Sequence, residues 1–201
     1  MRTFCIVGES SSGKTLLVQH LTQELTLRGY SVCTLKHTNQ DQFDLKGKDT
    51  SRHLESGATI ALGIAKNQTI AFFKQGRLED IIPLLPPLDF LIIEGGKELI
   101  YPKILVGKED TLKEKYIARW NIGDSIDNVV QAIILLPVDS VQLYLDNKRI
   151  YIKPFIQRAI VSMLLGFVTN LRNITSVEKE LVIKVNLKEF LREKKANSQK
   201  G

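Results

Sequence analysis

Over the first two thirds of the chain, short apolar runs alternate with stretches of helical periodicity. "RTFCIVGE" at 2–9 reads as a buried strand around the continuous apolar core Phe4 to Val7. Leu17, Val18, Leu21 and Leu25 follow at helical spacing, and Gly29 closes that helix where a left-handed residue costs least. "YSVCTLKHT" (30–38) predicts a second strand, 39–48 a polar loop, and Asp49 to Ser56 a short helix ended by Gly57. "TIALGIAK" (59–66) and "TIAFFKQ" (69–75) are close enough to form a hairpin across Asn67-Gln68. "LEDIIPLL" predicts a brief helix stopped near Pro86-Pro87. "LDFLIIEGG" (88–96) and "YPKILVGK" (101–108) then read as buried strands, with "IARWNIG" as a last one. Asp124 or Ser125 is expected to cap a helix that carries Ile126, Val129, Val130, Ile133 and Ile134 on one face and ends at Pro137. Strand, helix, strand in this order implies parallel pairing through right-handed crossovers, hence an α/β fold with a mostly parallel, helix-flanked sheet.

After Pro137 the pattern changes. "VQLYLDNKRIYIKP" predicts two short strands around a tight Asp146-Asn147-Lys148 turn, a helix of about four turns follows, and "KELVIKVN" predicts a third strand. The expected organisation is a main domain over 1–137, a small ββαβ extension over 138–190, and a basic tail over 191–201.

The first strand and first helix are joined by "GESSSGKT", in which Gly8, Gly13, Lys14 and Thr15 fit the P-loop form G-x-x-x-x-G-K-[ST] without mismatch. Backbone amides at a helix N-terminus hold phosphate without any side chain, and the glycines let the backbone come close. Lys14 is placed to reach the β- and γ-phosphates, and the Thr15 hydroxyl to ligate Mg²⁺; Ser10, Ser11 and Ser12 add donors to the rim. A P-loop NTPase-like fold is therefore expected. Such a site needs a second acidic group at the end of a neighbouring strand, and "FLIIEGG" offers Glu94 there, with the following glycines keeping space for ligand. Asp44 and Asp49 are further candidates to orient metal or water, and read equally well as solvated loop charges. The guanine-reading N-K-x-D of small GTPases is missing, since "NKRI" at 147–150 has isoleucine where aspartate is needed. The motifs alone thus leave the base undecided.

Composition narrows the class further. The 201 residues have the apolar and charged fractions of a globular protein. The chain opens on a strand without the marks of a secretory signal. The most apolar segment, Pro154 to Leu171, contains Gln157, Arg158 and Asn170, against the pattern of a membrane span. A cytoplasmic protein is expected, with Cys5 and Cys33 as reduced core residues, each inside a buried strand. The net charge of +6 comes wholly from residues 138–201, which carry 12 Lys/Arg against 6 Asp/Glu. Those basic residues are scattered, so nucleic acid is not the expected partner. His20, His37 and His53 show no ligand spacing and the cysteines make no C-x-x-C, so no transition-metal site is expected.

Two longer stretches go beyond the P-loop. "LKHTNQDQFDLKGKDTSRHLESGA" (35–58) and "LIIEGGKELIYPKILV" (91–106), with the P-loop ahead of them, resemble the MobB family of molybdopterin-guanine dinucleotide biosynthesis adaptor proteins over about residues 1–137. The resemblance implies that Gly8, Ser12, Gly13, Lys14 and Thr15 hold GTP phosphates. It also implies that Lys36, His37, Asp44, Lys48, Asp49 and Arg52 line the same face, with Glu94 as the acidic metal-side residue and Lys97 nearby. The chain departs from the family in having Thr38-Asn39-Gln40 where Asp-His-His is frequent, and Gly96 where a bulky residue is common. By resemblance the protein is a homodimer that binds GTP and Mg²⁺, hydrolyses GTP weakly, and assists the guanylyltransferase that joins GMP to molybdopterin, possible contact with molybdopterin included. Two other classes stay open. A small-molecule kinase on the same fold needs a lid rich in arginine, and 39–57 offer only Arg52. An interaction module working through the basic C-terminal region is the third.

Overall fold

In this computed structural model the residues described are 1–38, 49–74, 76–108, 115–138, 141–145, 148–150, 152–172, 181–183 and 185. The expected polar loop with Asp44 and Lys48, the Asp146-Asn147 turn and the 191–201 tail lie outside them. The chain divides into two units, Met1–Arg158 and Ala159–Gly201.

The first unit is organised by five parallel strands: β1 (Arg2–Gly8), β2 (Val32–Lys36), β5 (Phe90–Glu94), β6 (Lys103–Val106) and β7 (Ala118–Trp120), in the order β2-β5-β1-β6-β7. Side chains alternate between the two faces of a strand, so each strand feeds two cores. Phe4, Ile6, Phe90, Ile92, Ile104, Val106 and Trp120 point to one side. There they meet Leu17, Val18, Leu21 and Leu25 of α1 (Lys14–Leu27) and Val129, Val130 and Ile133 of α4 (Asp127–Ile134). Cys5, Val7, Leu91, Ile93 and Leu105 point to the other side, against Leu78 and Ile82 of α3 (Leu78–Ile81) and the 3₁₀ turn that follows it. Burying one leucine or phenylalanine side chain is worth about 1.5–3 kcal/mol, so this double burial fixes the register of the central strands.

The hairpin expected at 59–75 forms as β3 (Ile60–Ile64) against β4 (Thr69–Phe73), with the Ala65 amide donating to Gln68 O. It stands beside α2 (Asp49–Glu55) and apart from the five-stranded sheet. A second hairpin pairs β8 (Leu143–Leu145) with β9 (Lys148–Ile150), and its Tyr144 packs against the Cys5 side of the sheet. Lys148 belongs to β9 and pairs with Leu145, so it is not part of the turn.

Three expectations are revised. α4 begins without a side-chain cap: Ile126 holds the cap position, while Ser125 Oγ accepts the Asp127 amide at 3.1 Å. Asp124 instead closes the turn before the helix. Cys33 is only partly buried, because β2 is an edge strand. Of the expected third strand of the extension, residues 181–183 and 185 carry no strand pairing, and the rest lies outside the described residues. The helix expected before it is present as α5 (Pro154–Val168), and the boundary between the two units falls within it.

Candidate functional site

Parallel strands aligned by their pairing end at a common edge, and the loops beyond that edge form a crevice. Here Ile6 on β1 and Lys36 on β2 both stand level with Glu94, Gly8 with Val106, and Val106 with Trp120. The P-loop leaves this edge at Gly8 and returns at Lys14.

The loop is built too tightly for side chains at its ends. A Cβ on Gly8 would lie 2.3 Å from the Val106 carbonyl oxygen. Gly13 opens α1 with φ +102°, and a Cβ there would meet Ile122 Cγ1 at 2.8 Å. Among the described residues Ser11 is the one non-glycine with positive φ, at 59°. Left-handed residues in such a loop gather successive amides into an anion-binding nest, and holding serine in that shape costs about 1–2 kcal/mol. No side chain caps α1. Ser12 Oγ is buried and has no hydrogen-bond partner among the described residues. The loop thus keeps donors that protein groups leave unused, as a phosphate cradle requires. Lys14 Nζ donates to Gly8 O at 3.2 Å and to Glu9 O, carbonyls of its own loop. Burial is the main force lowering the Lys14 pKa. Lys97 and Lys36 push the same way, while Glu94 and Glu9 oppose them.

Glu94 emerges from β5 beside the start of α1. The Thr15 hydroxyl donates to Glu94 Oε1 at 2.8 Å, and Lys36 Nζ stands 3.7 Å from the same oxygen. A hydroxyl and a carboxylate in contact are the hard oxygen donors that suit Mg²⁺, whose remaining positions would go to phosphate oxygens and water. The next two glycines have a reason other than room for ligand. A Cβ on Gly95 would sit 2.4 Å from the His37 carbonyl oxygen, and one on Gly96 would sit 2.6 Å from Leu99 Cδ1, so the chain itself occupies that space. His37 continues β2 by donating its amide to Glu94 O at 2.9 Å, and its Nδ1 lies 3.3 Å from Glu98 Oε1.

Gly8, Ser10, Ser11, Ser12, Gly13, Lys14 and Thr15 therefore form one loop and helix start, and Lys36, Glu94 and Lys97 stand around it. His37 is next to Glu94 through its backbone. Asp49 and Arg52 belong to α2, Arg52 exposed, and that helix packs with the β3–β4 hairpin. Two neighbours escape a reading by sequence. Glu98 meets His37, and the nearly buried Lys103 sends Nζ to Leu99 O at 2.8 Å, holding the turn that carries Lys97. The only sequence signal for Lys103 is a charge at the start of an otherwise apolar strand.

On the opposite side of the loop, β7 ends in a tied turn. Trp120 Nε1 donates to Asp124 O at 3.0 Å, and the Asn121 amide and Nδ2 donate to Asp124 Oδ2 at 2.9 and 3.0 Å. Ile122, at the tip, lies nearest to Gly13, with the Trp120 ring next to it. His20 of α1 meets the Trp120 ring edge-on at 6.2 Å between centroids.

Residues 3–130 match the family described as molybdopterin guanine dinucleotide synthesis protein B. A Methanocaldococcus jannaschii protein, provisionally named for the adapter role in molybdopterin-guanine dinucleotide biosynthesis, is 34% identical over 116 residues, 54% of this chain and 48% of that protein. The molybdopterin-guanine dinucleotide biosynthesis adapter protein of Haemophilus influenzae is 30% identical over 115 residues, 54% of this chain and 64% of its own length. The chain thus matches about half to two thirds of the length of these relatives. The crystal structure of Bacillus subtilis MobB is similar at 23% identity and a TM-score of 0.48, over 55% of this chain and 70% of that one. Among the described residues no helix is long and apolar enough to cross a membrane.

Proposed function

The chain belongs to the MobB family, and on that premise we propose that it binds GTP with Mg²⁺ and serves as an accessory protein in attaching GMP to molybdopterin. The observation that carries the nucleotide reading is the pairing of an uncapped, glycine-bounded loop with the Thr15–Glu94 contact. Bound phosphates would take amides of Ser10, Ser11 and residues 13–15, while the Ser12 amide donates to Glu9 O at 3.4 Å, and would draw Lys14 away from the carbonyls of Gly8 and Glu9. Thr15 and Glu94 would hold the metal, and Lys36 and Lys97 would offset the charge of the terminal phosphate. Mg²⁺ supplies charge neutralisation at the phosphate oxygens.

Hydrolysis in this reading is slow. A P-loop site gains large rate factors from a group that orients water and from an arginine placed on the transferring phosphate. Arg52 is the chain's own candidate for the second part, although it sits on α2 beside the β3–β4 hairpin. The names of the relatives support an adapter role in molybdopterin-guanine dinucleotide biosynthesis; a guanylyltransferase as partner and a homodimer as the working form are part of the proposal.

Calorimetry with GTP and ATP, with and without Mg²⁺, tests the first half. GTP binding that strengthens with Mg²⁺ is expected, and strong preference for ATP would displace the reading in favour of a metabolite kinase. Co-purification with a molybdenum-cofactor guanylyltransferase tests the second half.

A further inference from the structure

A nucleotide in the P-loop has two ends, and the structure distinguishes where each belongs. Lys14, Thr15, Glu94, Lys36 and Lys97 concentrate charge on the β5 side of the loop. The terminal phosphates and metal belong on that side. With strand order β2-β5-β1-β6-β7, the nucleoside must then extend over β6 and β7. Neighbouring strands are about 4.8 Å apart, so β7 stands about 10 Å from β1, within reach of a ribose and its base.

We infer that the turn Asn121–Asp124 reads the base, with the Asp124 carboxylate accepting from the N1–H and 2-amino groups of guanine. The inference rests on the GTP-binding reading above and adds the residue that chooses the base. Three observations carry it. Asp124 is exposed at the strand ends, yet its carboxylate is held by two donors from Asn121, at 2.9 and 3.0 Å, so it is aimed in advance. The buried indole of Trp120 fixes the Asp124 backbone at 3.0 Å. Ile122, 63% exposed, lies against Gly13, so the turn and the phosphate loop are in direct contact.

The chemistry selects one purine. Guanine offers two adjacent donors to a carboxylate's acceptors, whereas adenine offers a lone pair at N1, which a carboxylate repels. The Asn-x-x-Asp spacing is that of the N-K-x-D element of small GTPases, with Ile122 in place of lysine. Here Ile122 covers Gly13 with an apolar side chain.

Equilibrium binding to the full chain, in Mg²⁺, of GTP, ITP, XTP and ATP is the test, for the wild type and Asp124→Asn. The wild type should prefer GTP over ATP, and ITP, which lacks the 2-amino group, should bind roughly tenfold more weakly than GTP. Asp124→Asn should lose roughly 100-fold in GTP affinity and gain XTP, whose C2 carbonyl suits an amide donor. The amide oxygen still accepts from Asn121, so the variant should melt close to the wild type. Wild-type binding of GTP, ITP and ATP with equal strength would overturn the base assignment and leave the phosphate cradle standing. The base assignment also falls if Asp124→Asn keeps its GTP preference, or if Asp127→Asn, at the neighbouring carboxylate, produces the switch instead. Absence of binding by any triphosphate would remove the cradle and the base assignment together.

Discussion

Lys14 and Glu94 face each other across the loop, and their substitutions should separate two functions. The Lys14 ammonium bonds to two carbonyls of its own loop, one on buried Gly8 and one on exposed Glu9, and to no packed side chain among the described residues. Lys14→Ala should therefore abolish measurable GTP affinity in calorimetry while changing stability by less than about 1 kcal/mol in thermal unfolding. A large drop in melting temperature without nucleotide would mean that the lysine is structural. Glu94→Gln keeps an acceptor for Thr15 but loses the charge facing the metal. It should reduce Mg²⁺ dependence and turnover more than GTP affinity, read by titrating Mg²⁺ in binding and hydrolysis assays. The identity of these residues was legible in the sequence, since G-x-x-x-x-G-K-[ST] is local. Glu98 was not, because its contact with His37 depends on where two separate strands end.

Between β1 and α1 the backbone conformation is as specific as any side chain. Gly8→Ala would drive a methyl group to within 2.3 Å of the Val106 carbonyl oxygen. Backbone cannot yield as a flexible side chain can, so this change should destabilise the protein by about 1–3 kcal/mol, measured by denaturant unfolding. Gly13→Ala, which meets the flexible end of Ile122 but also needs φ +102°, should cost stability too and should weaken GTP binding. The elements themselves were readable where their pattern was strong: the α1 stripe Leu17, Val18, Leu21 and Leu25 is buried as its spacing demands. The reason for Gly95 and Gly96 was not readable. Space for a ligand and close approach of the chain's own backbone leave the same mark in a sequence, and the His37 carbonyl decides between them. The start of α4 was also missed, because Asp124 and Ser125 are equally good caps on paper while Trp120 and Asn121 claim Asp124 for the turn.

At the scale of the whole molecule the sheet responds to pH through its buried thiol. Burial pushes the Cys5 pKa up to about 12, with Lys103 opposing and Glu98 adding. The folded form keeps the proton while an unfolded chain releases it near the ordinary thiol value of 9.0. Its contribution to stability is therefore complete below pH 9 and declines as pH rises from there toward 12. Cys5→Ala should be less stable than the wild type at about pH 7, because it leaves a small void, and should show a shallower loss between about pH 9 and 11. Native Cys5 should also resist alkylation at about pH 8, which mass spectrometry of the labelled protein would show.

Local order was within reach of the sequence: a phosphate loop between a strand and an amphipathic helix, strands of buried apolar residues, and a change of pattern after Pro137. Each depends on neighbours a few residues apart, which is the range over which backbone preference and hydrophobic period act. Only the tertiary structure decided that β5 lies between β1 and β2, so that Glu94 meets Thr15, and that β7 lies beyond β6, so that Ile122 meets Gly13. Such encounters are set by which strands share a core, and that is settled when distant side chains bury one another.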